Sequence, residues 1–179
     1  MRSLKRSAEN STPPSWRGLD AVRLLLRTSV GGTMVAHGLK HATSLSGTAG
    51  WFESIGFRRP KMQAAASAVV ETGAGVALIA GAGTPLAAAA VVGTMAVAGR
   101  SVHVRNGFFI TAEGWEYVAN LAVAAVALAG VGPGRWSVDR RLGIDSALTG
   151  DAAAAFAAGA GAAGALGQLA AFHRPGTRP

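Results

Sequence analysis

Residues 19–39 read "LDAVRLLLRTSVGGTMVAHGL", and whether this is a membrane span or a surface helix decides the fold. At about 100° per residue, Asp20, Arg23, Arg27, Val30, Met34, His37 and His41 fall in one narrow stripe, spaced three and four apart. Leu24, Leu25, Leu26 and Val35 lie mainly elsewhere on the circumference. A surface helix would keep one apolar face; here everything outside the stripe suits lipid. The stretch therefore reads as a transmembrane helix with a polar seam.

Three further segments have the length for a bilayer core of roughly 30 Å, which takes about 20 mainly apolar residues. They are residues 62–81, 84–103 and 114–131. Only "AGTP" separates the second from the third, a tight hairpin with Pro85 near a helix start, where its missing N–H costs little. The loops at 41–61 and 104–113 are longer and hold Trp51, Phe52, Phe57, Phe108 and Phe109. A fifth stretch, 151–172, "DAAAAFAAGAGAAGALGQLAAF", is almost wholly alanine and glycine. Gly159, Gly161, Gly164 and Gly167 would permit close helix approach in lipid. The same composition also describes a surface helix or a poorly ordered tail. The expected fold is thus an all-α, polytopic membrane four-helix bundle over residues 19–142, with residues 151–172 as an undecided fifth helix. A flexible cytoplasmic tail over 1–18, with Trp16 and Arg17 at the interface, and an extension over 143–179 flank it.

Composition agrees. Of 179 residues, 50% are hydrophobic and only 15% charged, and the charges are bunched between long neutral intervals. Soluble domains carry about a quarter charged residues. The absence of cysteine excludes disulfides, thiolate-bound metals and thiol redox chemistry within the chain. A net charge of +8 suggests nucleic acid in a soluble protein. Here the arginines flank apolar segments, so the partner is the membrane surface, and no nucleic acid is expected. The amino terminus lacks the compact apolar core of a signal peptide. Lysine and arginine counts modestly favour a cytoplasmic amino terminus: Arg2, Lys5, Arg6, Arg17, Arg135, Arg140 and Arg141 against Arg58, Arg59, Lys61 and Arg105, with Lys40 and Arg100 near that outer edge. The bias toward Ala, Gly and Arg points to a bacterial cell membrane, with "HGLKH" (37–41) at its outer edge.

Charged groups inside a span cost several kcal/mol unless they face the bundle, pair or reach water. Glu71, among Thr72, Gly73 and Gly75, is expected near mid-membrane, where Arg27 becomes its candidate partner in a buried ion pair. At the outer edge His37, Lys40, His103, Arg105, Glu113, Glu116 and Tyr117 are expected to converge; of these His37, Lys40, His103, Glu116 and Tyr117, together with Asn106, are the candidate ligand-binding residues. Imidazole, phenol and carboxylate can pass protons as well as hydrogen bonds. That suits a pocket for a quinone head group or another small polar ligand; the bland alternative is neutralising pairs that only fix helix order. His37 and His41, four apart, suit two ligands of one metal, but no HExxH motif or acid at fixed spacing accompanies them, so no metal is expected.

Several stretches together carry a family resemblance: "AHGLKH", "GTAGWFESIGF", "VVETGAGVALIAG", "VRNGFF" and "GWEYVANLAVAAVALAGVGPGRWSVD". Over about residues 20–142 the chain resembles the DoxX family of small bacterial membrane proteins. The matching positions are His37, Gly38, Lys40, Trp51, Phe52, Glu71, Asn106, Gly107, Phe108, Glu116 and Tyr117. The resemblance implies a four-helix membrane core and a link to redox complexes, since relatives include a membrane subunit of a thiosulfate:quinone oxidoreductase. Whether the chain is itself an enzyme, and which residue would be catalytic, stays open. Three functions follow: a redox-complex subunit with quinone as its possible cofactor, a non-enzymatic scaffold for another membrane protein, or a small-solute carrier.

Overall fold

The structure, a computed structural model, describes residues 16–174, with side chains from Gly18 onward. The amino-terminal tail, its expected interfacial side chains Trp16 and Arg17, and residues 175–179 lie outside the described residues. Among the described residues seven α-helices run α1 (Trp16–Thr43), α2 (Leu45–Ser54), α3 (Pro60–Ala80), α4 (Thr84–Ala98), α5 (Glu116–Val131), α6 (Val138–Arg141) and α7 (Gly150–Phe172). α4 continues through a π-helical turn, Gly99–His103, into a short 3₁₀ turn, Val104–Asn106. Among the described residues the only β-type pairing is a single bridge between Phe57 and His173.

Among the described residues three helices are long and apolar enough to cross a membrane: Pro60–Ala80, the Thr84–Asn106 continuation of α4, and Gly150–Phe172. α1 is longer, at 28 residues, but carries the polar seam. α5 is apolar over 16 residues. α1, α3, α4, α5 and α7 share one core, in which Met34, Leu78, Val91 and Leu128 are essentially inaccessible. This is a membrane protein with an all-α fold.

The Ala/Gly stretch is integral to that fold. Ala153 and Ala157 of α7 are fully buried in the shared core. Gly161 lies so close to α4 that a Cβ there would sit 2.6 Å from the Ala89 carbonyl oxygen. The far end of α7 is tied to the α2–α3 connection, where Arg58 N donates to Phe172 O at 2.7 Å and Arg174 N to Gly56 O at 2.8 Å. Gln168 Nε2 donates to Gln63 Oε1 of α3 at 2.8 Å. The expected loop at 41–61 also differs, since residues 45–54 form α2, whose Phe52 packs on Phe57 with ring centroids 5.2 Å apart.

α1 and α3 run antiparallel in intimate contact. A Cβ on Gly31 would lie 2.6 Å from the Gly75 carbonyl, and one on Gly38 would strike Thr72 and Ala68. Lipid tails provide no hydrophobic drive for helices to associate, so close backbone approach through small residues holds such pairs. Those contacts set the register that decides which seam residues meet.

Candidate functional site

The register places Gly31 opposite Gly75, so the helix positions opposite Glu71 are the last two turns of α1. Glu71 is 5% exposed. Its Oε1 accepts from the Ser67 hydroxyl one turn earlier on α3 and lies 3.7 Å from His41 Nε2. His37 and Tyr117 are within Coulombic reach of the same carboxylate. His37 and Tyr117 face each other with ring centroids 6.2 Å apart, and Tyr117 neighbours Thr33. Trp51 of α2 stacks on His41, centroids 6.4 Å apart and planes 23° from parallel. His41 Nδ1 is 3.4 Å from the Thr48 hydroxyl. The result is a graded set of groups: a buried carboxylate, a half-buried imidazole and phenol, and His37 exposed at the rim.

The expected Arg27–Glu71 ion pair does not form. Arg27, 2% exposed, donates from Nε to Leu78 O at 2.9 Å and from Nη1 to Pro133 O and Trp136 O, each at 2.9 Å. Its Nη2 donates to Ile79 O. The reason is register. Arg27 sits level with residues 78–79, seven or eight positions beyond Glu71, which at about 1.5 Å per residue is roughly 11 Å along the axis. The mid-membrane gate on which a carrier reading rests is therefore missing.

The rest of the expected outer cluster does other work. Glu116 Oε2 accepts from Ile110 N at 3.0 Å, and its own N–H donates to Phe108 O at 2.9 Å. His103 Nδ1 lies 2.6 Å from Glu113 O, and Asn106 Nδ2 donates to the same oxygen at 3.3 Å. These three build the turn between α4 and α5, where Glu113 adopts a left-handed φ of 60°. Lys40 is exposed and makes no ion pair among the described residues. Of the six expected ligand-binding residues, His37 and Tyr117 face each other within Coulombic reach of Glu71, while His103, Asn106 and Glu116 shape the neighbouring loop. Ser67, His41 and Trp51 were not expected beside Glu71. Ser67 stands four before Glu71 on the same helix face, which is visible in the sequence; the opposing His41 depends on register, which is not. Among the described residues, no three His, Asp or Glu side chains gather in a way that would hold a metal ion.

A second polar cluster stands at the other end of the bundle. Asp139, 3% exposed, accepts from Gly83 N at 2.7 Å, Thr84 N at 3.0 Å and Thr84 Oγ1 at 3.0 Å, capping α4 from across the α5–α6 loop. Asp20 accepts from Arg135 N at 3.1 Å. With Arg27, these groups join the α3–α4 hairpin to the "GPGRWSVD" loop. Comparison with known families decides what this arrangement is: residues 22–104, from α1 through α4, match the DoxX family model. That segment, just under half of the chain, is a DoxX segment. The matched DoxX segment contains every side chain around Glu71 except Tyr117. No curated protein and no solved structure matches the chain.

Proposed function

We propose that this protein is a subunit of a redox-linked complex in a bacterial cell membrane, binding a quinone head group or a similarly small polar ligand beside Glu71. One observation carries the reading. A carboxylate inside an apolar bundle accepts from Ser67 and lies beside His41, with His37 and Tyr117 within Coulombic reach, and among the described residues no lysine or arginine is in salt-bridge range. A residue kept only for neutrality would be matched with a fixed cation. Groups that exchange protons suit a ligand whose oxygens take up and release them. Tyr117 and His37 are the natural donors to a quinone oxygen, with Glu71 and His41 behind them as proton source. Electrons come from a partner protein, because a chain without cysteine has no thiol couple of its own. The lysine and arginine pattern supports a cytoplasmic amino terminus, so the site opens on the extracytoplasmic side.

Trp51, stacked on His41, is a built-in reporter. Full-length protein in lipid nanodiscs is titrated with a short-chain benzoquinone while tryptophan fluorescence is followed. Saturable quenching is expected, lost in Trp51→Phe, with affinity weakened about tenfold or more in Glu71→Gln and Tyr117→Phe. Unchanged affinity in both variants, with unchanged helicity, contradicts the assignment.

A scaffold role has its own support in α7. Gly159, Gly164 and Gly167 face open space, with Phe156 and Leu166 exposed beside them, a face that suits a partner helix. The two readings are compatible in one complex.

A further inference from the structure

At the α6 end of the bundle, a cavity of about 590 Å³ opens between the start of α1, the α5–α6 loop and the start of α7. Arg23, Arg135, Arg140, Asp20 and Asp145 line it, with backbone 130–134 as one wall. Asp20 is 4% exposed and serves both neighbouring arginines: Arg23 Nη1 at 3.4 Å and Arg135 Nε at 4.0 Å. Arg23 Nε also donates to Val131 O at 3.0 Å, which fixes its guanidinium to the wall. Arg140 Nη1 meets Asp145 Oδ2 at 3.1 Å. Three guanidiniums therefore face two carboxylates, leaving one positive charge over. The Arg135 and Arg140 side chains are 67% and 62% exposed, so the surplus stands at the mouth.

A ligand that completes this balance carries one negative charge and presents paired oxygens to a guanidinium fork. A phosphodiester does both. A phosphate monoester, with close to two charges at neutral pH, over-neutralises the site. The surroundings indicate the rest of the ligand. Val131, Trp136, Leu142 and Ile144 are exposed around the same loop, at the end of helices that cross a membrane. Apolar and tryptophan side chains beside arginines are the composition of a headgroup-level belt. A water-soluble diester gains nothing from them, whereas an acyl chain does.

We propose that this cavity binds the phosphodiester headgroup of an anionic phospholipid. Arg135 and Arg140 hold the phosphate, and Asp20 keeps Arg23 and Arg135 in position. A zwitterionic lipid brings its own ammonium group, leaves the surplus charge uncompensated, and binds less well.

The test uses the full-length chain in detergent, titrated separately with phosphatidylglycerol, phosphatidylcholine and water-soluble glycerophosphoglycerol. Native mass spectrometry reads the bound species, and thermal unfolding reads the stabilisation. Phosphatidylglycerol is expected to bind at about tenfold lower concentration than phosphatidylcholine. That preference is expected to vanish in Arg135→Gln/Arg140→Gln and to weaken in Arg140→Gln alone. Arg141→Gln, outside the cavity, is the control and keeps it. Equal binding of the two lipids, or a preference that survives the double substitution, overturns the proposal. Glycerophosphoglycerol binding as tightly as phosphatidylglycerol overturns the assignment to a lipid.

Discussion

Arg27 shows how a charge is kept inside a membrane bundle without a counter-ion in contact. Its four carbonyl partners include Leu78 and Ile79, in the last turn of α3, where Leu78 O also accepts from Gly81 N at 3.0 Å as the helix closes. An arginine near a helix C-terminus also complements the dipole there. The guanidinium fork reaches the helix end and the α5–α6 loop at once, which an ammonium on a flexible stem cannot do. Arg27→Ala is therefore expected to destabilise the folded state by about 3 kcal/mol or more, and Arg27→Lys to recover only part. Reversible unfolding in mixed micelles measures both; an alanine variant as stable as wild type contradicts the assigned role. The polar seam itself was legible from three- and four-residue spacing. Its partners were not, because backbone carbonyls leave no mark in a sequence.

At the scale of elements, glycines separate into those that allow contact and those that merely weaken a helix. Gly31, Gly75 and Gly161 each have a neighbouring carbonyl oxygen within 2.6 Å of where a Cβ would stand, whereas Gly73, Gly159 and Gly164 have nothing within 4 Å. Gly75→Ala and Gly161→Ala should separate α1 from α3 and α4 from α7, lowering the unfolding midpoint. Gly73→Ala and Gly159→Ala should be neutral or stabilising by up to about 1 kcal/mol through helix propensity. Equal effects in the two sets would contradict the packing. These sets could not be separated in the sequence, since all are small residues in apolar runs. For the same reason α7 was undecided: alanine is nearly neutral for insertion, and what holds the helix is its fit against Ala89, Val92 and Gly93. The length and apolar composition of α7, enough for a crossing, make a topological prediction. In this cysteine-free chain, Ser54→Cys and a cysteine added after Pro179 should react with a membrane-impermeant maleimide from one side, and Ser146→Cys from the other. An added cysteine that labels with Ser146→Cys contradicts a fifth crossing.

Across the whole molecule, the ionisable groups of the seam divide between the two ends of the bundle. Arg27, Asp20, Arg23 and Asp139 tie the helix ends and loops at one end. Glu71, His41, His37 and Tyr117 gather at the other. Between them the α1–α3 interface is made of small and apolar residues such as Val30, Gly31, Met34, Ala74 and Gly75. The apolar spans and the presence of two buried charges on α1 and α3 were readable from the sequence. Pairing those charges assumed equal depth, and the glycine-set register offsets them by about two turns. Double-mutant cycles on unfolding free energy test this separation most directly, combining Glu71→Gln first with His41→Ala and then with Arg27→Gln. The Glu71/His41 cycle is expected to show a coupling of about 0.5 kcal/mol or more, and the Glu71/Arg27 cycle to be additive within about 0.5 kcal/mol. Strong coupling between Glu71 and Arg27, with none between Glu71 and His41, would contradict it.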